Sequence, residues 1–430
     1  MPNLPKISLT RNQTIMVLGT IVLIVVVFIT FKFFGSKNPT GPAVNLSVWG
    51  VDSVDAMDSI ISGYETVRPN VTVTYKRVAA DEYDEAVLTA LATGKGPDVF
   101  LIGNHDLYSR GQLLAAATPA QVSLSGVQAS FPQAVVQDFV YGDAAYALPL
   151  YMDTLTLLYN KQMFDQAGIA TPPKTWQEVV DMVPRLRTTD EGGQITRAAI
   201  AIGGSDQSVD HAADILNLIM LQNGAVLAND EAKPSFGRTK EGVAAFRFYL
   251  QFADAASPAY TWNDLMGSSL EAFASQKTAM VLAYQRDLAE IEERAPFLDF
   301  GVAPAPQTSL DRAVNYPSYH GLAVWTGSRV QTWGWDFALF ATTNSAAQGG
   351  YLAATGRPAA LRSLITLQQK DPALAVFANA ALTARSWKMG DYDKIKNIFS
   401  TAIQNVQTGA KTPDIALSDA ETQASQLINR

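Results

Sequence analysis

The chain contains no cysteine in its 430 residues. Disulfides, thiolate metal sites and a cysteine nucleophile are therefore excluded, and so is a lipid-modified N-terminal cysteine. It has only three histidines. None lies four residues from another, so the helical zinc pattern has no basis. Positive charge is scarce as well: 32 Lys and Arg against 40 Asp and Glu leave a net charge of -8. A chain whose main partner is nucleic acid wants a basic face, so that class is set aside. G-x-S-x-G does not occur, which removes the nucleophile elbow of a hydrolase. Gly94-Lys95-Gly96 lacks the spacing of a phosphate loop and reads as a tight turn before a buried strand. There is no repeat at solenoid spacing and no low-complexity run.

What is present points to a folded chain. Hydrophobic residues make up 48% and charged ones 17%, and the length suits two or three domains. Ile15 to Phe31 carries no charge and is almost wholly apolar. With Phe33 and Phe34 it reaches the roughly 20 residues that a helix needs to cross a bilayer, and Lys32 can snorkel to the interface. Lys6 and Arg11 before it and Lys32 and Lys37 after it nearly balance, so charge orients the segment only weakly. A cleaved signal peptide is the alternative. The apolar region is long for one, and Gly41-Pro42-Ala43 is a poor cleavage site. The expectation is a retained anchor: 1–14 cytoplasmic, 15–34 transmembrane, 35–43 linker.

Beyond the linker the pattern changes. Val44 to Trp49 reads as an apolar strand. Asp52 or Ser53 caps a helix with Met57, Ile60, Ile61, Tyr64 and Val67 on one face. Val71, Val73 and Tyr75 alternate as a strand. A second helix runs from Asp81 to Leu91, and Val99 to Ile102 is a further strand. Strand, helix, strand, helix, strand implies a parallel sheet with helices on both faces. Ligands of such sheets sit beyond the carboxyl ends of the strands. The turns Trp49–Ser53 and Gly103–Asp106 are the candidates. Asp106 reads locally as a helix N-cap.

The most organised stretch is Ala147 to Trp176, ALPLYMDTLTLLYNKQMFDQAGIATPPKTW. A short apolar run stops at Pro149. Leu155 to Tyr159 reads as a buried strand, and Asn160 to Ala167 as a helix closed by Gly168. Thr175 then caps a new helix, with Glu178 at the N3 place of a capping box. Pro149, Tyr151, Asp153, Thr154, Tyr159-Asn160, Lys161, Phe164, Gly168 and Pro173-Lys174-Thr175-Trp176 resemble the extracellular solute-binding proteins of ABC importers, in the maltose-binding-like branch. TGKGPDV, GNHDLYSRGQLL, the segment Leu270–Phe273 with Lys277–Met280, YPSYHGLAVW, WGWDFALFATTNSAAQGGY and the Thr355–Pro358 turn follow the same family pattern in order. The resemblance runs from Val44 to Arg430 in segments. It departs at the front, where an anchor replaces a lipidated or cleaved signal.

The resemblance implies an α/β, two-lobe periplasmic-binding-protein fold of type II, each lobe a mixed, mostly parallel sheet flanked by helices, preceded here by one transmembrane helix. Lobe one is expected at 44–149 and 320–347, lobe two at 150–319 and 348–430, with crossings near 148–153, 319–321 and 348–352. The expected function is capture of a solute, most readily a sugar or oligosaccharide, by hinge closure, and its delivery to the permease of an ABC transporter. Aromatic rings cover the apolar face of a sugar, and carboxylates or amides take its hydroxyls. The candidate ligand residues are Trp49, Asp52, Asn104, His105, Asp106, Tyr151, Asp153, Tyr284, Arg286, Tyr319, His320, Trp387, Asp391 and Tyr392. Tyr284 follows a strand where the family often has a ring stacked on ligand. No two tyrosines are adjacent, so the marker of the ferric-ion receptors is missing. No cofactor, catalytic residue or metal ligand is expected, and the chain reads as a monomer held at the cell membrane with its binding domain outside. A membrane-anchored ligand sensor and a carbohydrate-acting enzyme are the alternatives; carboxylate pairs alone do not favour the enzyme, because 40 acidic residues always supply some.

Overall fold

A computed structural model describes residues 41–229 and 232–428. The expected N-terminal segment, the anchor and most of the linker lie outside them. No helix among the described residues is long and apolar enough to cross a membrane.

Val44–Gly50 forms β1, with Val44, Leu46 and Val48 buried at alternate positions. Ser53, not Asp52, caps α1 (Val54–Val67) by accepting from the Ala56 amide at 3.2 Å. Met57, Ile60 and Tyr64 form the buried face, while Val67 is exposed. Then come β2 (Val71–Arg77), α2 (Tyr83–Ala92), β3 (Val99–Gly103) and, after a helical excursion, β4 (Ala147–Pro149). The chain now enters the second lobe with β5 (Thr156–Asn160). Asn160 caps α3 (Lys161–Gln166) through the Met163 amide at 3.0 Å, and Gly168 ends that turn at φ 64°. Thr175 caps α4 (Trp176–Leu186) at the Glu178 amide, while the Glu178 carboxylate reaches back to the Lys174 amide at 2.6 Å, one residue beyond the N-cap amide of the expected reciprocal box. The lobe continues with α5 (Ala212–Gln222), α6 (Lys240–Leu250), β6 (Met280–Ala283) and β7 (Phe300–Pro304). The chain returns through β8 (His320–Val324), α7 (Gln331–Thr343), α8 (Ser345–Thr355), α9 (Arg362–Gln368) and α10 (Ala375–Leu382). It closes with α11 (Tyr392–Gln407) and α12 (Pro413–Ile428).

The first sheet has the order β2-β1-β3-β8-β4. β1 is parallel to β2 and β3, and β8 runs antiparallel between β3 and β4. The second sheet has the order β6-β5-β7, and β5 is antiparallel to both neighbours. The expectation of a mostly parallel second sheet is therefore corrected. Its parallel character is confined to the edge, where Ala198 bridges Thr278 in parallel and the Ala201 amide bonds the Met280 carbonyl at 3.1 Å.

Buried side chains divide into two cores, one including Leu46, Phe100, Phe139, Tyr319 and Trp335, the other Leu157, Ile215, Tyr249, Tyr284 and Phe399. The chain passes between them at 152–155, at 316–319 and at 384–387. The third crossing was expected near 348–352. Instead Tyr351, Leu361, Ile365, Ala378 and Ala381 all pack in the first core, so 348–384 belongs there rather than with lobe two. The reason is a long-range anchor: the Ser59 hydroxyl bonds the Ala347 carbonyl at 2.9 Å, and Asp52 takes both Tyr351 and Arg357. The crossings bond to one another. Thr154 pairs with Pro317 and Asp153 with Ser318, antiparallel, and Asn315 bridges Ala384 in parallel.

Candidate functional site

The carboxyl end of β3 runs into Asn104-His105-Asp106, which faces the second lobe across a cleft of about 690 Å³. The wall on the first lobe is completed by Asp84, Ser109 and Arg110, the floor by Ser318, Tyr319 and His320 of the return crossing, and the far wall by Asp391 and Tyr392 at the start of α11. The expected residues Asn104, His105, Asp106, Tyr319, His320, Asp391 and Tyr392 thus meet in one place.

Tyr392 and Tyr316 form a slot on the second lobe. The Tyr392 hydroxyl donates to Asp214 at 2.9 Å, and the Tyr316 hydroxyl accepts from the Asn217 amide at 3.3 Å. Asp214 and Asn217 lie one turn apart on α5, so a single helix fixes both rings. The His105 imidazole of the first lobe inserts between them. It lies 5.0 Å from the Tyr392 centroid at 12° and 5.8 Å from that of Tyr316 at 17°. Burial pushes His105 down to about 4 against the pull of the Asp214 charge, so the ring in the slot is neutral at physiological pH.

Asp106 stands at the start of the short helix Leu107–Arg110. One carboxylate oxygen accepts from the Gly103 amide at 3.0 Å and sits 3.7 Å from Arg110, whose guanidinium also takes Asp84 in a two-pronged pair at 2.9 and 2.7 Å. Burial, helped by the Asp84 and Asp391 charges, lifts Asp106 to about 6 despite Arg110. Asp391 caps α11 through the Lys394 amide at 3.1 Å and pairs with the Lys394 ammonium at 2.9 Å. Beneath the floor, Asp138 accepts from the Tyr319 hydroxyl at 2.7 Å, from Asn104 at 3.3 Å and from the Ser386 hydroxyl of the third crossing. Burial raises Asp138 to about 7, and these hydrogen bonds restrain the rise.

The remaining expected residues are held elsewhere. Asp52 is pinned by Arg357 at 2.7 Å and Tyr351 at 2.9 Å. Asp153 is consumed by the amides of Thr154, Gln285 and Arg286. Tyr284 is 0% exposed: its hydroxyl bonds Asp214 at 2.8 Å, its edge meets His211, and Arg286 covers one face at 4.0 Å. The Trp387 indole is buried and donates to Asn217 at 3.1 Å. Trp49 carries the Lys76 ammonium on its ring at 3.8 Å. These are corrections to an open placement in the cleft: each of these groups already has a partner from its own surroundings. Tyr151 and Arg286 adjoin the floor, Tyr151 through His320 at 2.7 Å and Arg286 through Ser318 at 3.0 Å. Arg110, Asp138, Tyr316 and Asp214 were not singled out from sequence. Arg110 lies four residues after Asp106, a spacing that could have flagged an ion pair on one helix face; the other three carry no local signal.

Comparisons with known proteins bear on the fold and the family. A family profile described as bacterial extracellular solute-binding protein matches residues 50–348. A Brucella abortus (strain 2308) protein named as a binding protein is 21% identical over 388 residues, covering 87% of this chain and 90% of its own. The sn-glycerol-3-phosphate-binding periplasmic protein of Salmonella paratyphi A is 26% identical over 304 residues, covering 66% of this chain and 67% of its own. Among solved structures, the cyclic alpha-maltosyl-1,6-maltose binding protein of Arthrobacter globiformis superposes with a TM-score of 0.74 at 17% identity, over 90% of this chain and 99% of that one.

Proposed function

The chain belongs to the bacterial extracellular solute-binding proteins, and from that premise we propose that it captures a sugar or oligosaccharide between its lobes and delivers it to the permease of an ABC importer. The observation that carries this reading is the cleft itself, which joins side chains from both lobes over the bonded crossings. A ligand that touches both walls favours the closed arrangement by its extra contacts. The chemistry of the walls suits a polyol. Asp106 and Asp391 are acceptors, Asn104 and Ser318 can donate or accept, and Tyr392 offers a ring. Five carboxylates, those of Asp84, Glu85, Asp106, Asp391 and Asp393, line the cleft against the one guanidinium of Arg110, which favours neutral hydroxyls over a phosphate. The Arthrobacter neighbour binds a cyclic maltosaccharide by its own name, which supports the same ligand class here. We further propose that the apolar run Ile15–Phe31 is kept as a membrane anchor, with the lobes on the extracytoplasmic side and no chemistry done on the ligand.

Calorimetry with a panel of mono- and oligosaccharides, polyols and sn-glycerol-3-phosphate tests the reading. A saccharide should bind and be recovered intact, and at a hundred times its dissociation constant it should stabilise the fold by about 2.7 kcal/mol. Binding of the phosphate ester alone, or recovery of a cleaved product, overturns it.

A further inference from the structure

The slot between Tyr316 and Tyr392 is filled from the other lobe by a protein group. His105 follows β3 in the first lobe, whereas Tyr316 belongs to the second core and Tyr392 packs against it. The imidazole is nearly parallel to both rings, and its Nε2 lies 3.5 Å from the Tyr316 hydroxyl. It is only 7% exposed. His105 and Tyr392 both line the cleft, so the stack spans the gap that closes on a ligand. A rotation of the lobes about their crossings must draw His105 out of the slot.

Both halves of this contact are built before they meet. On the first lobe the Asn104 side chain lies 3.2 Å from the imidazole. Asn104 is itself held, donating to Asp138 at 3.3 Å and accepting from the Tyr319 amide at 3.2 Å. On the second lobe, Asp214 and Asn217 of α5 fix the two tyrosine hydroxyls. Groups that are already ordered lose little freedom when they come together. Ring pairs of this kind each favour contact by roughly two- to tenfold, and the surface removed from water adds to that.

We propose that His105 is a positioning residue for closure: it seats the two lobes on each other through the Tyr316–Tyr392 slot, with protein groups alone. A ligand then adds its contacts to a closure that the chain already favours. A receptor whose competent state is populated beforehand binds more tightly than one that the ligand alone must close. The latch follows from the two-lobe fold and holds for whichever ligand the cleft takes.

The test is a distance measurement between spin labels by pulsed electron–electron resonance on the full-length chain, with no sugar added. The chain has no cysteine, so Thr89→Cys on α2 and Asn397→Cys on α11, both exposed and one on each lobe, supply the only thiols. The labelled parent should give a short, narrow distance. His105→Ala and Tyr392→Ala, each removing one ring of the stack, should shift it to longer values and broaden it. His105→Phe keeps a flat ring for the slot and should keep the short distance. A long, broad distribution in the parent, an unchanged short one in both alanine variants, or its loss in His105→Phe overturns the latch. Sugar capture is untouched by any of these results, because no sugar enters the measurement.

Discussion

Asp106 is held at about 6 because burial and two neighbouring carboxylates oppose its charge more strongly than Arg110 supports it. This has a consequence for binding. A carboxylate that accepts hydroxyl protons must be ionised, so a polyol prefers the anion and lowers its pKa. Affinity should then rise with pH through about 6 and level off above about 7, with roughly a tenfold loss per unit on the acid side. The sign for folding is opposite. A carboxyl whose folded pKa is raised favours the folded state below its unfolded value near 4, and loses that support as pH climbs towards 6. Asp106→Asn should weaken binding by about 1–3 kcal/mol and flatten the profile between pH 5 and 8. Titration calorimetry across that range reads both effects; a level parent profile sinks the role given to Asp106. His105 and His320, both pushed down to about 4 mainly by burial, do not titrate in this window.

Elements that share no sheet are joined in this protein by buried polar groups. α5 fixes the slot for His105 through Asp214 and Asn217. Asp138, at the end of the helix Gln133–Phe139, joins the β3 loop, the return crossing and the third crossing. With its pKa raised to about 7, the folded chain gains from protonating Asp138 and loses that gain as pH rises from about 4 to 7. Asp138→Asn keeps an acceptor oxygen for Tyr319 and Asn104 and offers an amide to Ser386, whose hydroxyl can turn to accept. The variant should therefore gain stability relative to the parent as pH rises from 4.5 to 7.5, by an amount on the order of 3 kcal/mol. Urea unfolding of both proteins at the two pH values measures it, and the difference between them cancels the histidines. A constant difference would show that Asp138 carries no such charge penalty. Much at this scale was legible beforehand: the cap Thr175, the stop at Gly168 and the β3 loop are local signals read within a few residues. Asp138 was not legible, nor was the run 348–384 in the first core, because Asp52 and Ser59 find their partners some 300 residues away and no periodicity encodes a partner at that distance. The direction of the second sheet was missed for the same reason, since strand spacing says nothing about which edge a returning strand takes.

At the scale of the whole molecule, two cores are joined by three crossings that bond to one another. Such a ribbon allows rotation of the lobes about it but resists their separation, so closure on a ligand is the motion it permits. A receptor of this kind works near its membrane partner, and the proposed anchor would be its tether. Ile15–Phe31 is long enough for a bilayer, and the segment 35–43, fully extended, reaches at most about 30 Å. If the run is retained as we propose, a tether that short would keep the cleft close to the membrane surface and make each encounter with a permease nearly intramolecular. No lipidated cysteine is available to do this instead. The native protein should accordingly remain in the membrane fraction after a high-salt and carbonate wash, and N-terminal sequencing should show that Ile15–Phe31 is retained. A shortened chain starting at Val44 should be released while binding the same ligand with the same affinity, because the lobes and their crossings all lie beyond that point. A mature terminus near Val44 in the native protein would overturn the anchor and leave a freely diffusing receptor whose encounters depend on its concentration.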